Sequence, residues 1–394
     1  MLIWVDIGRL ILREVAGYFM AWYTSGRSAQ KFLCSAMVCA SAAFAGVKLF
    51  RKIRAFEAVR PELRSPRLFF PLSATNRLKT RLISNLFSRP TQLPLGVAVS
   101  ESVVTFSSLH IENETLLLQK YWDICEPVRS MFDAVHVRNY FPCANESAYK
   151  NLASSAIDGV IVWFHGGGLI SGSYSNSDRY CGQLAKDTNC LVVSGEYRCA
   201  PDFPFPHAFI DCSLALLYAF EIAKMRGVPL IVSGVSAGGG LAAAVAQLAA
   251  DVGIPLAYQA LVYPMLDSRT GRYPSTGRGD FVWTPSANRF GWRSYLQGMG
   301  NVRDLAISRY AIPAQRGESG EWGDLAPAWI GCGNLDLFFE ENKRYAQCLQ
   351  SAGVRTTFYA VEGMYHGADM SVPHAPAMKD FYQSMLQEIR CVTS

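Results

Sequence analysis

The chain has 394 residues, of which 50% are hydrophobic and 18% are charged, and its formal net charge is +5. This composition excludes a disordered chain, because the apolar surface is sufficient to fill a large core. The charge is small for the length and no basic stripe interleaved with aromatic residues occurs, so nucleic acid is not an expected partner. The eleven cysteines contain no Cys-x-x-Cys pair, which argues against a zinc site and against a small disulfide framework.

The first 55 residues differ in composition from the rest of the chain. Residues 1–23 are apolar and aromatic with charged interruptions, and residues 32–47 carry no charge. Because a membrane-spanning helix needs about 20 apolar residues, this run is short for a single span, and a shallow hairpin with residues 1–23 is the other arrangement. We predict that residues 1–55 are a hydrophobic segment that anchors the protein to a membrane, with the endoplasmic reticulum as a candidate. A pair of lid helices in a cytoplasmic protein is the alternative.

The orientation of such an anchor stays open. Seven basic residues follow the charge-free run between positions 48 and 67, and the positive-inside rule therefore places the rest of the chain in the cytoplasm. Two N-glycosylation sequons, which begin at Asn113 and Asn145, favour the opposite orientation.

The remainder of the chain shows the alternation that is typical of an α/β protein. Residues 57–93 contain four prolines and predict irregular covering structure rather than sheet. Apolar, β-branched runs predict strands at Val135–Phe141, Gly159–Phe164, Leu191–Ser194, Leu230–Ser233, Ala260–Tyr263, Ala328–Gly331 and Thr357–Val361. Helical patterns lie at Asp178–Thr188, Phe209–Lys224, Ala237–Asp251 and Glu340–Ala352. This order predicts a mainly parallel, doubly wound sheet, interrupted by an insertion at residues 269–310.

A run of three glycines follows the predicted strand at Gly159–Phe164, in the sequence His165-Gly166-Gly167-Gly168. Consecutive glycines let the backbone approach a ligand closely and direct its N–H groups at that ligand. An ester carbonyl that becomes an oxyanion needs such preorganised donors. We assign the oxyanion hole to the N–H groups of Gly166, Gly167 and Ala237, with an ordinary glycine-rich turn as the alternative.

The sequence Gly234-Val235-Ser236-Ala237-Gly238 lies between a predicted strand and an Ala/Leu-rich stretch of high helix propensity. A strand that enters a helix through Gly-x-Ser-x-Gly is the pattern of a nucleophile elbow, which exposes the serine hydroxyl above the sheet edge. The N-terminus of the following helix favours negative charge beside that serine. Ser236 is therefore the predicted nucleophile.

A serine nucleophile needs a base and an orienting carboxylate. Of the six histidines, His366 lies in a loop after the last predicted strand, where it could reach the sheet edge. Asp336 lies just beyond a predicted strand and ahead of a helix, whereas Asp324 precedes that strand and Asp369 follows the histidine. The order Ser236, Asp336, His366 matches the order expected of an α/β-hydrolase. A purely structural histidine is the alternative.

These motifs resemble the hormone-sensitive-lipase-like family of α/β-hydrolases, which includes acetyl esterases, arylacetamide deacetylases and fungal esterases of secondary metabolism. The matching pieces are His165–Gly168, Tyr197–Pro201 with Phe203–Pro206, Gly234–Gly239, Tyr263–Asp267, Asp336 with Glu341, and Gly363–Gly367. The resemblance implies an α/β-hydrolase domain over residues 56–394, with a helical cap from about 56–110 and 268–322. The chain departs from the family at Val235, where Asp is common, and at Cys199-Ala200-Pro201-Asp202, where Leu-Ala-Pro-Glu is common.

Together these observations predict a serine carboxylic-ester hydrolase that acts through an acyl-enzyme and needs no metal or organic cofactor. Because the insertion is rich in large apolar side chains, we expect short-chain, acetyl-like esters of an apolar small molecule from secondary or lipid metabolism. The candidate pocket residues are Phe281, Trp283, Phe290 and Trp292, for which a place in the core of the cap is the alternative. Three other functions stay open: an acyltransferase with the same triad, a non-catalytic small-molecule binder on the same fold, and a structural membrane protein.

Overall fold

A computed structural model describes residues 52–65, 68, 76, 92–110, 115–142, 156–272, 277–318 and 322–394. The chain divides into two units, Met1–Val59 and Arg60–Ser394, and in the first unit the described residues are helical from 52 to 58. The predicted membrane anchor therefore lies almost entirely outside the described residues, as do the two sequons. In the part of the chain that the structure describes, no helix combines the length and the apolar character that crossing a membrane requires.

The second unit is built on an eight-stranded sheet with the order β1-β2-β4-β3-β5-β6-β7-β8. The strands are β1 (Val97–Val104), β2 (Val135–Pro142), β3 (Gly159–Phe164), β4 (Cys190–Gly195), β5 (Leu230–Val235), β6 (Tyr258–Val262), β7 (Ala328–Gly333) and β8 (Thr356–Val361). Strand β2 pairs antiparallel with both β1 and β4, and all other neighbours are parallel. The predicted mainly parallel sheet is confirmed.

Helices cover the sheet in two groups. They are α1 (Thr115–Cys125), α2 (Asp178–Thr188), α3 (His207–Arg226), α4 (Ala237–Val252), α5 (Pro285–Leu296), α6 (Phe339–Ser351), α7 (Ala368–Ser371) and α8 (Pro376–Thr393). Helices α3 and α4 pack on each other and on the central strands, whereas α2 and α8 pack on each other and on the sheet. Every residue of β3 to β7 is consequently buried, which explains their mainly apolar sequences.

Strand β1 corrects the sequence analysis. Its residues lie within 56–110, the range that the resemblance assigned to the cap, yet they form the antiparallel edge of the sheet. An edge strand is paired on one side and is half exposed, so the sequence Val-Ala-Val-Ser-Glu-Ser-Val-Val lacks the continuous apolar run of a central strand. The seven predicted strands and four predicted helices are all present, with ends shifted by no more than two residues.

The insertion after β6 becomes helical at residue 285. Helix α5 begins at Pro285, and the Thr284 side chain caps it by accepting a hydrogen bond from the Ala287 N–H at 3.3 Å. Short 3₁₀ turns follow as far as residue 318. The Tyr310 ring stacks on Phe209 of α3 with centroids 4.9 Å apart, and this contact joins the insertion to the main core.

A charged cluster makes a second connection between the insertion and the core. Asp251, near the end of α4, accepts hydrogen bonds from Arg316 at 3.0 Å, Arg309 at 2.8 Å and the Tyr310 hydroxyl at 2.6 Å. Burial acts to raise the pKa of the Asp251 carboxyl, but the hydrogen bonds from Arg316 and Tyr310 outweigh it, so the pKa lies below its ordinary value. The ionised carboxylate therefore stabilises the folded state.

We expect Asp251→Asn to lower the free energy of unfolding by about 1–3 kcal/mol at pH 7, because charge-assisted hydrogen bonds are lost. A depressed pKa stabilises the fold above the unfolded pKa of about 3.9, and that contribution disappears as the pH falls through the folded pKa. The difference in the free energy of unfolding between wild type and variant, measured by urea unfolding, should thus be constant near neutral pH and shrink below about pH 4. Asp304→Asn, at an exposed position of the same insertion, is the control with an expected change within about 0.5 kcal/mol. Equal changes for the two variants would contradict this assignment.

Candidate active site

The turn between β5 and α4 is too tight for side chains at two of its positions. A Cβ atom at Gly234 would overlap the carbonyl of Gly238, and one at Gly238 would overlap the carbonyl oxygens of Phe164 and His165. Ser236, between them, has φ 57° and ψ −119°, a conformation that non-glycine residues rarely adopt. The glycines of the motif therefore let α4 start directly above the end of β3, and Ser236 carries the strain of that close approach.

The structure brings the three predicted residues into one hydrogen-bonded chain. The Ser236 Oγ atom lies 2.9 Å from His366 Nε2, and His366 Nδ1 lies 2.7 Å from Asp336 Oδ2. The second oxygen of Asp336 accepts a hydrogen bond from the Phe338 N–H at 2.9 Å. All three side chains are buried, so these contacts are shielded from bulk water.

Parallel strands explain why residues 30 to 130 positions apart meet here. Ser236, Asp336 and His366 follow β5, β7 and β8, and the carboxyl ends of parallel strands lie at the same edge of a sheet. The loops that carry Asp336 and His366 are also joined directly. The Leu335 N–H donates to the Met364 carbonyl at 3.1 Å, and the Gly363 N–H donates to the Asn334 side chain at 2.8 Å.

Two aromatic rings enclose the His366 imidazole. Tyr263 meets it at a centroid distance of 4.7 Å and an angle of 64°, and Phe338 at 5.2 Å and 87°. The Tyr263 hydroxyl donates a 2.6 Å hydrogen bond to Asp369, the carboxylate that the sequence analysis ranked below Asp336. Burial raises the pKa of Asp369, although the hydrogen bond from Tyr263 opposes the shift. Tyr263 and Phe338 were not predicted as contacts of the histidine. Their positions after strands that end at the site could have indicated this role.

The glycine loop after β3 lies beside Ser236. A Cβ atom at Gly166 would sit 3.4 Å from the Ser236 Cβ and 3.3 Å from the Val235 carbonyl oxygen. Gly167 follows in the same loop with φ 133°, and Ala237 is the first residue of α4. Two of the residues predicted to donate N–H groups, Gly166 and Ala237, thus lie beside the serine, and Gly167 is the next residue of the loop.

His165, at the start of the glycine loop, holds that loop in place. Its ring stacks on Tyr197 at 4.1 Å with an angle of 10°, and its Nδ1 atom lies 2.7 Å from the Gly166 carbonyl oxygen. The Tyr197 hydroxyl donates to the His165 carbonyl at 2.8 Å. Burial lowers the pKa of His165, because an apolar environment disfavours the charged imidazolium. This histidine therefore acts as a neutral packing group.

The four candidate pocket residues fall into two pairs. The Phe281 ring lies 6.0 Å from Tyr365, the neighbour of His366, and the Trp283 ring occupies the space that a Cβ on Gly168 would need. Both therefore contact loops of the site. Trp292 is buried against Tyr295, with centroids 6.1 Å apart, and Phe290 is half-buried against the same hydrophobic core.

The cysteines near the site are protonated thiols. Burial raises the pKa of Cys199 to about 12 and that of Cys332 well above its ordinary value, with nearby carboxylates adding to the shift. Only the thiolate is strongly nucleophilic, so neither residue competes with Ser236 at neutral pH. All eight cysteines within the described ranges are free.

Comparisons with known proteins agree with this architecture. Residues 161–370 match a family model described as an α/β hydrolase fold. Over 214 residues the chain is 30% identical to Esterase LipI of Mycobacterium tuberculosis, and the matched segment covers 53% of this chain and 65% of LipI. It is 32% identical over 215 residues to Carboxylesterase NlhH of the same species, and this matched segment covers 53% of this chain and 66% of NlhH. The chain thus spans slightly less than two thirds of the length of these two relatives.

A solved structure gives a longer match. A protein described as Bacterial Heroin Esterase superposes with a TM-score of 0.68 at 25% sequence identity, over 86% of this chain and 99% of its own. The superposition therefore extends beyond the 161–370 segment of the family model to most of the described fold.

Proposed function

The chain belongs to the hormone-sensitive-lipase-like family of α/β-hydrolases, and on that premise we propose that it hydrolyses carboxylic esters. The observation that carries the proposal is the hydrogen-bonded chain from the Ser236 hydroxyl through His366 to the Asp336 carboxylate. A hydroxyl is a weak nucleophile unless an adjacent base removes its proton, and this arrangement supplies the base and its orienting group.

In the first half of the reaction, Ser236 Oγ attacks the ester carbonyl carbon while His366 Nε2 takes the hydroxyl proton. The carbonyl oxygen becomes an oxyanion, which accepts hydrogen bonds from the N–H groups of Gly166, Gly167 and Ala237. The C–O bond to the alcohol then breaks, and His366 returns the proton to the leaving oxygen. The product of this half is an acyl group on Ser236.

In the second half, a water molecule gives a proton to His366 and attacks the acyl carbonyl carbon. The bond to Ser236 Oγ breaks, the serine regains its proton from His366, and the acid leaves. Throughout, Asp336 accepts the Nδ1–H hydrogen bond, which fixes the tautomer and stabilises the imidazolium. These steps need no metal ion or organic cofactor.

We propose short acyl esters of an apolar alcohol as the substrates. The support is the apolar character of the side chains against the loops of the site, where Phe281 and Trp283 pack on Tyr365 and Gly168. An apolar wall favours an apolar substrate, because burial of both surfaces removes them from water. The named relatives LipI and NlhH are an esterase and a carboxylesterase.

Residues 1–55 are proposed to hold the enzyme at a membrane. The support is the charge-free run at residues 32–47 and the cluster of basic residues that follows it. An anchor of this kind would place the site close to lipid, where apolar esters concentrate.

Ser236→Ala should lower kcat for p-nitrophenyl acetate by at least about 10⁴-fold, because the attacking atom is removed. Asp336→Asn should lower it by about 10⁴-fold through the wrong imidazole tautomer. The matched control is Ser233→Ala, because Ser233 is a buried serine of β5, the strand that precedes Ser236, and its hydroxyl donates to the Ala260 carbonyl at 2.7 Å. This control should keep nearly full activity in the folded protein. Substantial turnover by Ser236→Ala would reject Ser236 as the nucleophile.

The membrane proposal predicts that full-length protein sediments with membranes and stays there after an alkaline carbonate wash. Val38→Arg combined with Ala42→Arg should release it, since each charge in the bilayer core costs about 2.5–3.5 kcal/mol. Val103→Arg, at an exposed position of β1, is the control that should remain bound. Recovery of the wild type in the supernatant before the wash would refute the anchor.

A further inference from the structure

Residues 278–284, here called the strap, cross the site from one loop to another. At the start of the strap, Arg278 Nε donates to the Asn334 carbonyl at 3.0 Å and the Gly279 N–H donates to the Leu335 carbonyl at 3.1 Å. Both acceptors directly precede Asp336. The strap is therefore fixed at this end to the loop that carries the proposed orienting carboxylate.

The middle and the end of the strap lie against the other two loops of the site. Val282 Cγ1 is 4.0 Å from the position that a Cβ on Gly367 would occupy, and Gly367 is the neighbour of His366. The Trp283 ring lies over Gly168 of the glycine loop, and its Nε1 atom donates to the Asn288 side chain at 3.1 Å. The strap thus contacts the histidine loop through Val282 and the proposed oxyanion loop through Trp283.

Val282 has a backbone conformation that its side chain disfavours. Its φ is 59°, and the Trp283 N–H donates to the Phe281 carbonyl across it at 2.7 Å, which makes a γ-turn with positive φ. This type of γ-turn is rare and strained, and a β-branched residue within it is an outlier. Such strain persists only where the surroundings enforce it, and it concentrates at functional sites.

The burial along the strap shows what enforces the turn. Phe281 and Trp283 are 3% and 9% exposed, whereas Val282 between them is 39% exposed. The two aromatic anchors therefore hold an apolar side chain out of the core. Burial of the aromatic pair accounts for the position of the anchors, but it does not account for the strained valine between them.

We propose that Val282 is the specificity-determining residue that limits acyl chain length in this enzyme. Its isopropyl group lies beside the histidine loop, and in this proposal the acyl chain of an ester bound at Ser236 extends past it. A short acyl group fits beneath it, and a longer one collides with it. This inference rests on the proposed ester hydrolysis and adds a named determinant of substrate size to it.

The test measures kcat/KM of the full-length protein for p-nitrophenyl acetate, butyrate, hexanoate and octanoate. Val282→Ala shortens the side chain and should raise the octanoate-to-acetate ratio of kcat/KM at least about tenfold, because a change of one or two methyl groups in an apolar pocket has an effect of this size. Val282→Leu lengthens the side chain and should lower that ratio. Val103→Ala, an exposed valine on β1, should leave the ratio unchanged.

Val282→Gly separates the volume of the side chain from the strain of the turn. Glycine adopts φ near 59° without penalty, so this variant should melt no lower than the wild type while its ratio shifts as in Val282→Ala. An active enzyme whose ratio stays the same in the Ala, Gly and Leu variants overturns the role of Val282 and leaves ester hydrolysis standing. A wild type that hydrolyses none of the four esters overturns both.

Discussion

The structure depends on one steric constraint, the absence of side chains where α4 passes over the end of β3. Because Gly238 has no Cβ, the first turn of α4 reaches the carbonyl oxygens of Phe164 and His165, and Gly234 allows the chain to reverse beneath it. Ser236 is thereby forced to a positive φ, with its hydroxyl directed toward His366. The same close approach brings the glycine loop after β3 beside the serine. One turn thus sets the positions of the nucleophile and of the N–H groups proposed to stabilise the oxyanion.

The surroundings of His366 determine which carboxylate it can use. Asp336 and Asp369 both lie nearby, but the 2.7 Å contact to Nδ1 belongs to Asp336, while Asp369 is engaged by the Tyr263 hydroxyl. The rings of Tyr263 and Phe338 meet the imidazole on two sides and limit its rotation. Exclusion of water by these rings strengthens the remaining electrostatic contacts, because the local dielectric constant falls. A single orientation of the base follows from packing and hydrogen bonding together.

The features that were predictable from the sequence are those that a local steric rule dictates. The strands β3 to β7 are mainly apolar because both faces are covered, and the Gly-x-Ser-x-Gly and His-Gly-Gly-Gly patterns mark places where a Cβ does not fit. Contacts between distant segments were not predictable. The polar Ser-Glu-Ser centre of β1 interrupts the apolar pattern by which a strand is recognised, and no motif in the sequence indicates that Asp251 pairs with Arg316. The positive φ of Val282 could not be predicted from the sequence either, since β-branched residues normally avoid this conformation.

The proposed mechanism requires that Ser236 becomes covalently acylated during turnover. The most direct measurement treats the full-length protein with a fluorophosphonate, which traps activated serines, and locates the adduct by mass spectrometry of the digested chain. We expect one adduct, on the peptide that contains Ser236, and no adduct in the Ser236→Ala variant or when His366 is replaced by Ala. Labelling at another residue, or no labelling of a protein that hydrolyses esters, would rule out the acyl-enzyme on Ser236.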